Sequence, residues 1–183
     1  FAVSASSNAP AATIVYTSTS PTVCSVDNAT VTALTPGTCN VRATAAASGE
    51  YEAASAVVQS VQVDPRLQVL TFDAGPVGMR VDAVVNVRVT SNAESATVEY
   101  ASSTPTVCTV TGRAVTALLV GDCEITATSA AVGNYTSASA SLEFTISGRA
   151  QTLTFGAAPV GVRLGHPPVT VTATSTAPSP VIR

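Results

Sequence analysis

The chain has 183 residues, of which 46% are hydrophobic, 4% aromatic and 10% charged, and its formal net charge is −3. All eight cations are arginine, scattered and outnumbered by eleven acids, which excludes the clustered basic surface that nucleic acids require. The apolar stretches, such as AVTALLV, fall far short of the roughly 20 residues of a membrane-spanning helix. Abundant valine in regular alternation argues against low-complexity disorder.

In chain order, FAVSASS at 1–7 opens the sequence in mid-strand. Cys24 begins a run that a two-residue turn at Asp27-Asn28 separates from a strand VTAL, followed by a Gly-containing turn and a strand through Cys39. AAASGEYEAAS comes nearest to a helical pattern, and Gly49 interrupts it. The middle of the chain then shows seven runs of period two. These are marked by Leu70 and Phe72; Val85, Val87 and Val89; Val98 and Tyr100; Cys108 and Val110; VTAL again; Cys123, Ile125 and Ala127; and Leu142, Phe144 and Ile146. Each is short, rich in β-branched and apolar residues and bounded by Gly, Pro, Asn or Asp. Side chains alternate faces along a strand, so each run buries one face and wets the other with Ser and Thr. The expected fold class is all-β: tandem antiparallel β-sandwiches of about seven strands per repeat.

The repeat is explicit. Cys24 and Cys108 lie 84 positions apart, as do Cys39 and Cys123, Gly37 and Gly121, Tyr16 and Tyr100, and Tyr51 and Tyr135. QVLTF at Gln68–Phe72 recurs as QTLTF at Gln151–Phe155, and VNVRVTS at Val85–Ser91 matches both 1–7 and 169–175. Three copies follow: 1–64, a repeat without its first strand; 65–147, a complete one; and 148–183, the start of a third. The chain therefore reads as a window onto a longer tandem array. The links Asp64-Pro65-Arg66 and Ser147-Gly148-Arg149 are short, and Pro65 fixes φ, so neighbouring repeats are expected to form a semi-rigid rod, with more bending at Ser-Gly.

Each copy carries two cysteines 15 positions apart, both on the inward parity of their strands. Even numbers at a repeated spacing predict disulfides Cys24–Cys39 and Cys108–Cys123, formed outside the reducing cytosol. Free buried thiols are the alternative, and a metal site is disfavoured because no histidine lies near.

CSVDNATVTALTPGTCNVRAT and CTVTGRAVTALLVGDCEITAT resemble the signature block of bacterial immunoglobulin-like domains, the tandem repeats of intimin- and invasin-type adhesins and other large surface proteins. Cysteine stands at two of the small core positions of that block. TSTSPTV and ASSTPTV before it, GEY and GNY after it, and the QTLTF opening fit a cysteine-bearing subset. The resemblance implies an immunoglobulin-like fold and an exported array in which repeats act as spacers, stalks or fibre segments. It brings no catalytic residues with it.

Asp64, Asp73 and Asp82 surround the first link, but calcium takes six to eight oxygen ligands from closely spaced acids, and solvated loop acids are the expectation. His166, the one histidine, is expected in a turn rather than in a catalytic triad. Without lysine no isopeptide staple can form. Tyr51 and Tyr135 are expected as buried rings fixing a corner, with a sugar-stacking platform as the rival. Asn28-Ala29-Thr30 and Asn134-Tyr135-Thr136 match the N-glycosylation pattern.

The expected function is a structural spacer or fibre segment of a secreted or cell-surface protein, not an enzyme, with no cofactor and no metal. Expected partners are neighbouring repeats, lateral or head-to-tail copies, and a host or surface glycan or protein. A glycan- or receptor-binding adhesin module is one alternative. Another is a strand-exchanged filament subunit, against which stands the duplication of residues 1–15 by 169–183, since two copies of one strand would compete for one slot.

Overall fold

A computed structural model describes residues 1–177; residues 178–183 of the repeated segment 169–183 lie outside the described residues. Among the described residues there are fifteen strands and no helix. They are β1 (Ile14–Ser18), β2 (Cys24–Asp27), β3 (Thr30–Ala33), β4 (Gly37–Ala45), β5 (Val57–Val63), β6 (Leu70–Phe72), β7 (Val84–Asn86), β8 (Val89–Ser91), β9 (Glu99–Ser102), β10 (Cys108–Thr111), β11 (Ala114–Ala117), β12 (Gly121–Ser129), β13 (Ala138–Ile146), β14 (Leu153–Phe155) and β15 (Ala173–Ser175). Three-stranded sheets run β1-β4-β5, β10-β11-β7 and β13-β12-β9, and pairs form β2-β3, β6-β8 and β14-β15. The ladders β1-β4-β5, β10-β11-β7, β2-β3, β6-β8 and β14-β15 are antiparallel, so the fold is all-β as expected.

Period two is carried into burial. Along β12, Cys123, Ile125, Ala127 and Ser129 are buried while their neighbours are not, and along β4 the same holds for Cys39, Val41, Ala43 and Ala45. Hairpins β2-β3 and β10-β11 turn at Asn28 (φ 53°) and Gly112 (φ 59°). Both residue types tolerate the left-handed conformation that tight hairpins use. The loop residues are Asn28-Ala29 and Gly112-Arg113, one position beyond the turns expected from the sequence at Asp27-Asn28 and Thr111-Gly112.

The run 85–91, expected as one strand, divides into two. β7 pairs with β11 and β8 with β6. Val87 donates its N–H to Arg113 at 2.9 Å, whereas the carbonyl of the next residue, Arg88, accepts from Asp73 at 2.9 Å. Alternation of the side chains is preserved across this change of partner, which is why the pattern alone reads as one strand. Phe1–Val3 takes the β7 position in copy one: Val31 donates to Phe1 at 2.8 Å and Val3 to Ala29 at 2.9 Å. AAASGEYEAAS forms no helix; Gly49 (φ 61°) sits in a turn where Ser48 and Tyr51 exchange main-chain bonds of 3.0 Å.

The chain groups into two compact units. One comprises Phe1–Asp73, Arg88–Tyr100 and Thr126–Ser141. Its core holds Val3, Cys24, Val31, Cys39 and Val41, packed by Tyr16, Val23, Val26 and Val63. The other comprises Ala74–Val87, Ala101–Ile125 and the chain from Leu142 onward. Its buried residues include Met79, Val87, Cys108, Val115, Cys123, Ile125, Phe144 and Ile146. Full burial of a side chain such as Ile125 or Val115 contributes about 1.5–3 kcal/mol.

Candidate functional site

The four cysteines sit where the folding pattern brings the first and last strands of each three-strand block face to face. Cys24 of β2 is bonded to Cys39 of β4, and Cys108 of β10 to Cys123 of β12, with Cα–Cα separations of 5.6 and 5.7 Å. Each bridge joins two different sheets. All four residues are 0% exposed, so a reductant reaches them only when the fold opens.

A shell of hydroxyls surrounds each bridge, and it explains the TSTSPTVC and ASSTPTVC stretches. Ser18 Oγ lies 3.4 Å from Cys24 Sγ and Ser102 Oγ 3.3 Å from Cys108 Sγ. The same hydroxyls accept the amides of Ser20 and Thr104 at 3.2 Å. Ser20 Oγ and Thr104 Oγ1 in turn accept the amides of Asn40 and Glu124, at 2.8 and 3.0 Å. The chain then turns into the cysteine strand through bonds from Cys24 to Ser20 and Cys108 to Thr104, both 3.0 Å. These hydroxyls and amides beside the apolar bridge are thereby paired, as burial demands.

The links are laced by hydrogen bonds. Arg66 donates its amide to Asn134 at 2.7 Å and accepts from Thr136 at 2.9 Å, while Asn134 Nδ2 donates to the Leu34 carbonyl at 3.3 Å. A cleft of about 150 Å³ lies here, lined by Leu34, Pro36, Val63, Asp64, Arg66 and Asn134 among others. At the second link Ser147 exchanges main-chain bonds with Met79 and Val81, at 2.9 and 3.1 Å, and Arg80 donates to Gly148 at 2.8 Å. Asp82 pairs with Arg149. Both side chains of that ion pair are more than half exposed, so it contributes about 1 kcal/mol or less.

Asp64, Asp73 and Asp82 are all exposed, and among the described residues no three acidic, histidine or cysteine side chains gather to hold a metal ion. His166 follows the turn Leu164-Gly165, donating its amide to Arg163 at 3.0 Å. Tyr51 corrects an expectation: the residue is 44% exposed, and Tyr135 is half-buried. Main-chain bonds, Ser48 with Tyr51 and Val132 with Tyr135, form these corners because Gly49 and Gly133 supply the left-handed turn. The hydroxyl that does anchor a loop is that of Tyr16, which accepts from the Ala5 amide at 2.7 Å. Asn28 lies at an exposed hairpin tip, whereas Asn134 is engaged at the link.

Gln68 is the residue whose role the sequence reading missed. It is only 6% exposed, and Nε2 donates to Ser91 Oγ at 3.1 Å and to Ser129 Oγ at 3.0 Å. Its Oε1 is buried without a partner. Next to it Asn92 brackets the chain, accepting from the Val69 amide at 2.8 Å and donating to the Leu67 carbonyl at 3.2 Å. The available signal was the recurrence of Gln at 151 with Ser at 175, where Nε2 donates to Ser175 Oγ at 2.6 Å.

No protein-family model matches the chain, and no curated protein matches it. Among solved structures it is similar to domains 4 and 5 of the S-layer protein SbsC, at 19% identity and a TM-score of 0.36, over 75% of this chain and 77% of that one. It is also similar to the S-layer protein rSbsC(31-844), at 18% identity and a TM-score of 0.35, over 74% of this chain and 20% of that one.

Proposed function

We propose that the chain is a structural segment of an extracellular cell-surface protein, built from bacterial immunoglobulin-like repeats at 1–64, 65–147 and 148–183, and serving as a semi-rigid spacer. The observation that carries this reading is that the same disulfide, closing the same 15-residue separation, joins equivalent strands in both copies that contain the block. Such bridges persist in oxidising compartments. They staple each pair of layers against unfolding under tension, and the bonds across Arg66 and Ser147–Gly148 oppose bending of the links.

Two measurements test it. An antibody raised against the chain is expected to label intact source cells; labelling confined to permeabilised cells would overturn the surface assignment. Pulled from its ends in a force spectrometer, each oxidised copy should release about 50 Å less contour length than after reduction, because 15 residues at roughly 3.3–3.6 Å each stay locked. Smooth extension with no unfolding event refutes a load-bearing role.

A further inference from the structure

We propose that Asn28 is an N-glycosylation site and that Asn134, which lies in the same sequence pattern, is not. The acceptor is the Asn28 carboxamide, and the donor is a lipid-linked oligosaccharide presented by a membrane transferase. This goes beyond the spacer reading and rests only on its extracellular part, since an exported chain is the one that meets such a donor.

The pattern Asn-x-Ser/Thr occurs at Asn28-Ala29-Thr30 and at Asn134-Tyr135-Thr136. It specifies two groups for the transferase: the carboxamide that takes the sugar and the hydroxyl two residues on. Both asparagines are open to solvent, so exposure alone does not separate them. Their hydrogen bonds do. Asn134 Nδ2 donates to the Leu34 carbonyl at 3.3 Å, and Thr136 Oγ1 accepts the Gln68 amide at 3.2 Å. The main chain beside them is tied to Arg66 by bonds of 2.7 and 2.9 Å, and Tyr135 and Thr136 are half-buried. A sugar on Asn134 would stand where Leu34 lies, and seating Thr136 in a transferase would break its bond to Gln68.

Neither group is committed at the other site. Asn28 Nδ2 donates only to the adjacent Asp27 carboxylate, at 3.1 Å and in solvent. The Thr30 hydroxyl is exposed and has no partner among the described residues. Asn28 and Ala29 form the two-residue loop, with Asp27 opposite Thr30, and φ at Asn28 is 53°. Asparagine tolerates that left-handed conformation, so the turn by itself accounts for residue 28. It does not account for residue 30. Copy two makes the same turn with Gly112 at φ 59° and has Ala114 in the place of Thr30, so the hairpin needs no hydroxyl there. In copy two, where the first strand and a preceding repeat are both present, Gly112 and Arg113 are exposed as well. The openness of the tip therefore belongs to the hairpin.

The transfer is a displacement. Asn28 Nδ2 attacks the anomeric carbon of the donor, and the new carbon–nitrogen bond forms as the carbon–oxygen bond to the lipid diphosphate breaks. The diphosphate leaves with the electron pair, and Nδ2 gives up one of its two protons to a basic group of the transferase. The product is a bulky, solubilising chain at a surface turn.

The test takes the protein from the envelope of its source cells and locates sugar by electron-transfer fragmentation of its peptides. A glycan on Asn28 and none on Asn134 is expected. In source cells making the variants, Thr30→Val should lower occupancy of Asn28 about tenfold or more, because a site built for a hydroxyl rejects its absence, and Thr30→Ser should retain it. Both variants should keep the two disulfides and the melting temperature, since Thr30 is exposed and valine suits a strand. A bare Asn28, a sugar on Asn134, a sugar on Thr30 in its stead, or occupancy indifferent to Thr30→Val overturns the proposal. A bare Asn28 on cells that the antibody labels counts against this site alone and leaves the surface assignment standing.

Discussion

Replacing Cys108 and Cys123 together by alanine removes the staple from copy two. The bridge closes 15 residues, and in the chain-entropy treatment such a loop is worth about 3 kcal/mol at 25 °C. Two fully buried sulfurs also disappear, and a void of methyl size adds about 1 kcal/mol, for a total of about 3–4 kcal/mol. That is a large part of the roughly 5–15 kcal/mol that holds an ordinary domain together. With a urea slope near 2 kcal/mol per molar, the midpoint should fall by about 1.5–2 M. Far-UV circular dichroism suits the measurement, since the chain has no tryptophan. The Cys24–Cys39 bridge closes the same separation, so Cys24→Ala with Cys39→Ala should cost the same within about 1 kcal/mol if loop entropy dominates. A loss below about 1 kcal/mol, or losses in the two copies that differ by more than that, would refute the entropic reasoning and leave local packing as the cause.

Three further outcomes are expected. In native buffer both bridges should resist reduction, and reduction should speed up with urea because the sulfurs are 0% exposed; mass spectrometry should then show a gain of four hydrogens for the two bridges. Gln68→Ala should cost about 1–2 kcal/mol in thermal melts and quicken amide exchange along Leu70–Phe72, since the buried Ser129 hydroxyl and the half-buried Ser91 hydroxyl lose their donor. Gly37→Ala and Gly121→Ala should each cost about 1–3 kcal/mol, because φ there is +141° and +146°, with Gly37 the worse. A Cβ at Gly37 would lie 3.3 Å from Val23, against 3.5 Å from Val107 at Gly121.

The alternation of Cys123, Ile125 and Ala127, and the spacing shared by both cysteine pairs, were enough to read an all-β repeat and its bridges. Both depend on parity within a strand, and parity is local. The nearest helical pattern, AAASGEYEAAS, was also correctly discounted at Gly49, where a single left-handed residue makes a turn. Long-range partners are a different matter. Nothing in VNVRVTS marks the point between Val87 and Arg88 where its hydrogen bonds pass from Arg113 to Asp73, because both sheets accept the same alternation.

The tyrosines and the glutamine divide along the same line. An aromatic ring in a turn invites burial, yet Tyr51 lies open because Gly49 and the Ser48–Tyr51 main-chain bonds already close that corner. Gln68 shares the inward parity of Leu70 and Phe72, but only the meeting of β6, β8 and β12 makes it a buried donor to Ser91 and Ser129. Sequence by itself determined what depends on neighbours one or two residues away: strand, turn and the facing of each cysteine. Tertiary structure alone decided which strand pairs with which, because hydrogen-bond partners in sheets come from residues far apart along the chain.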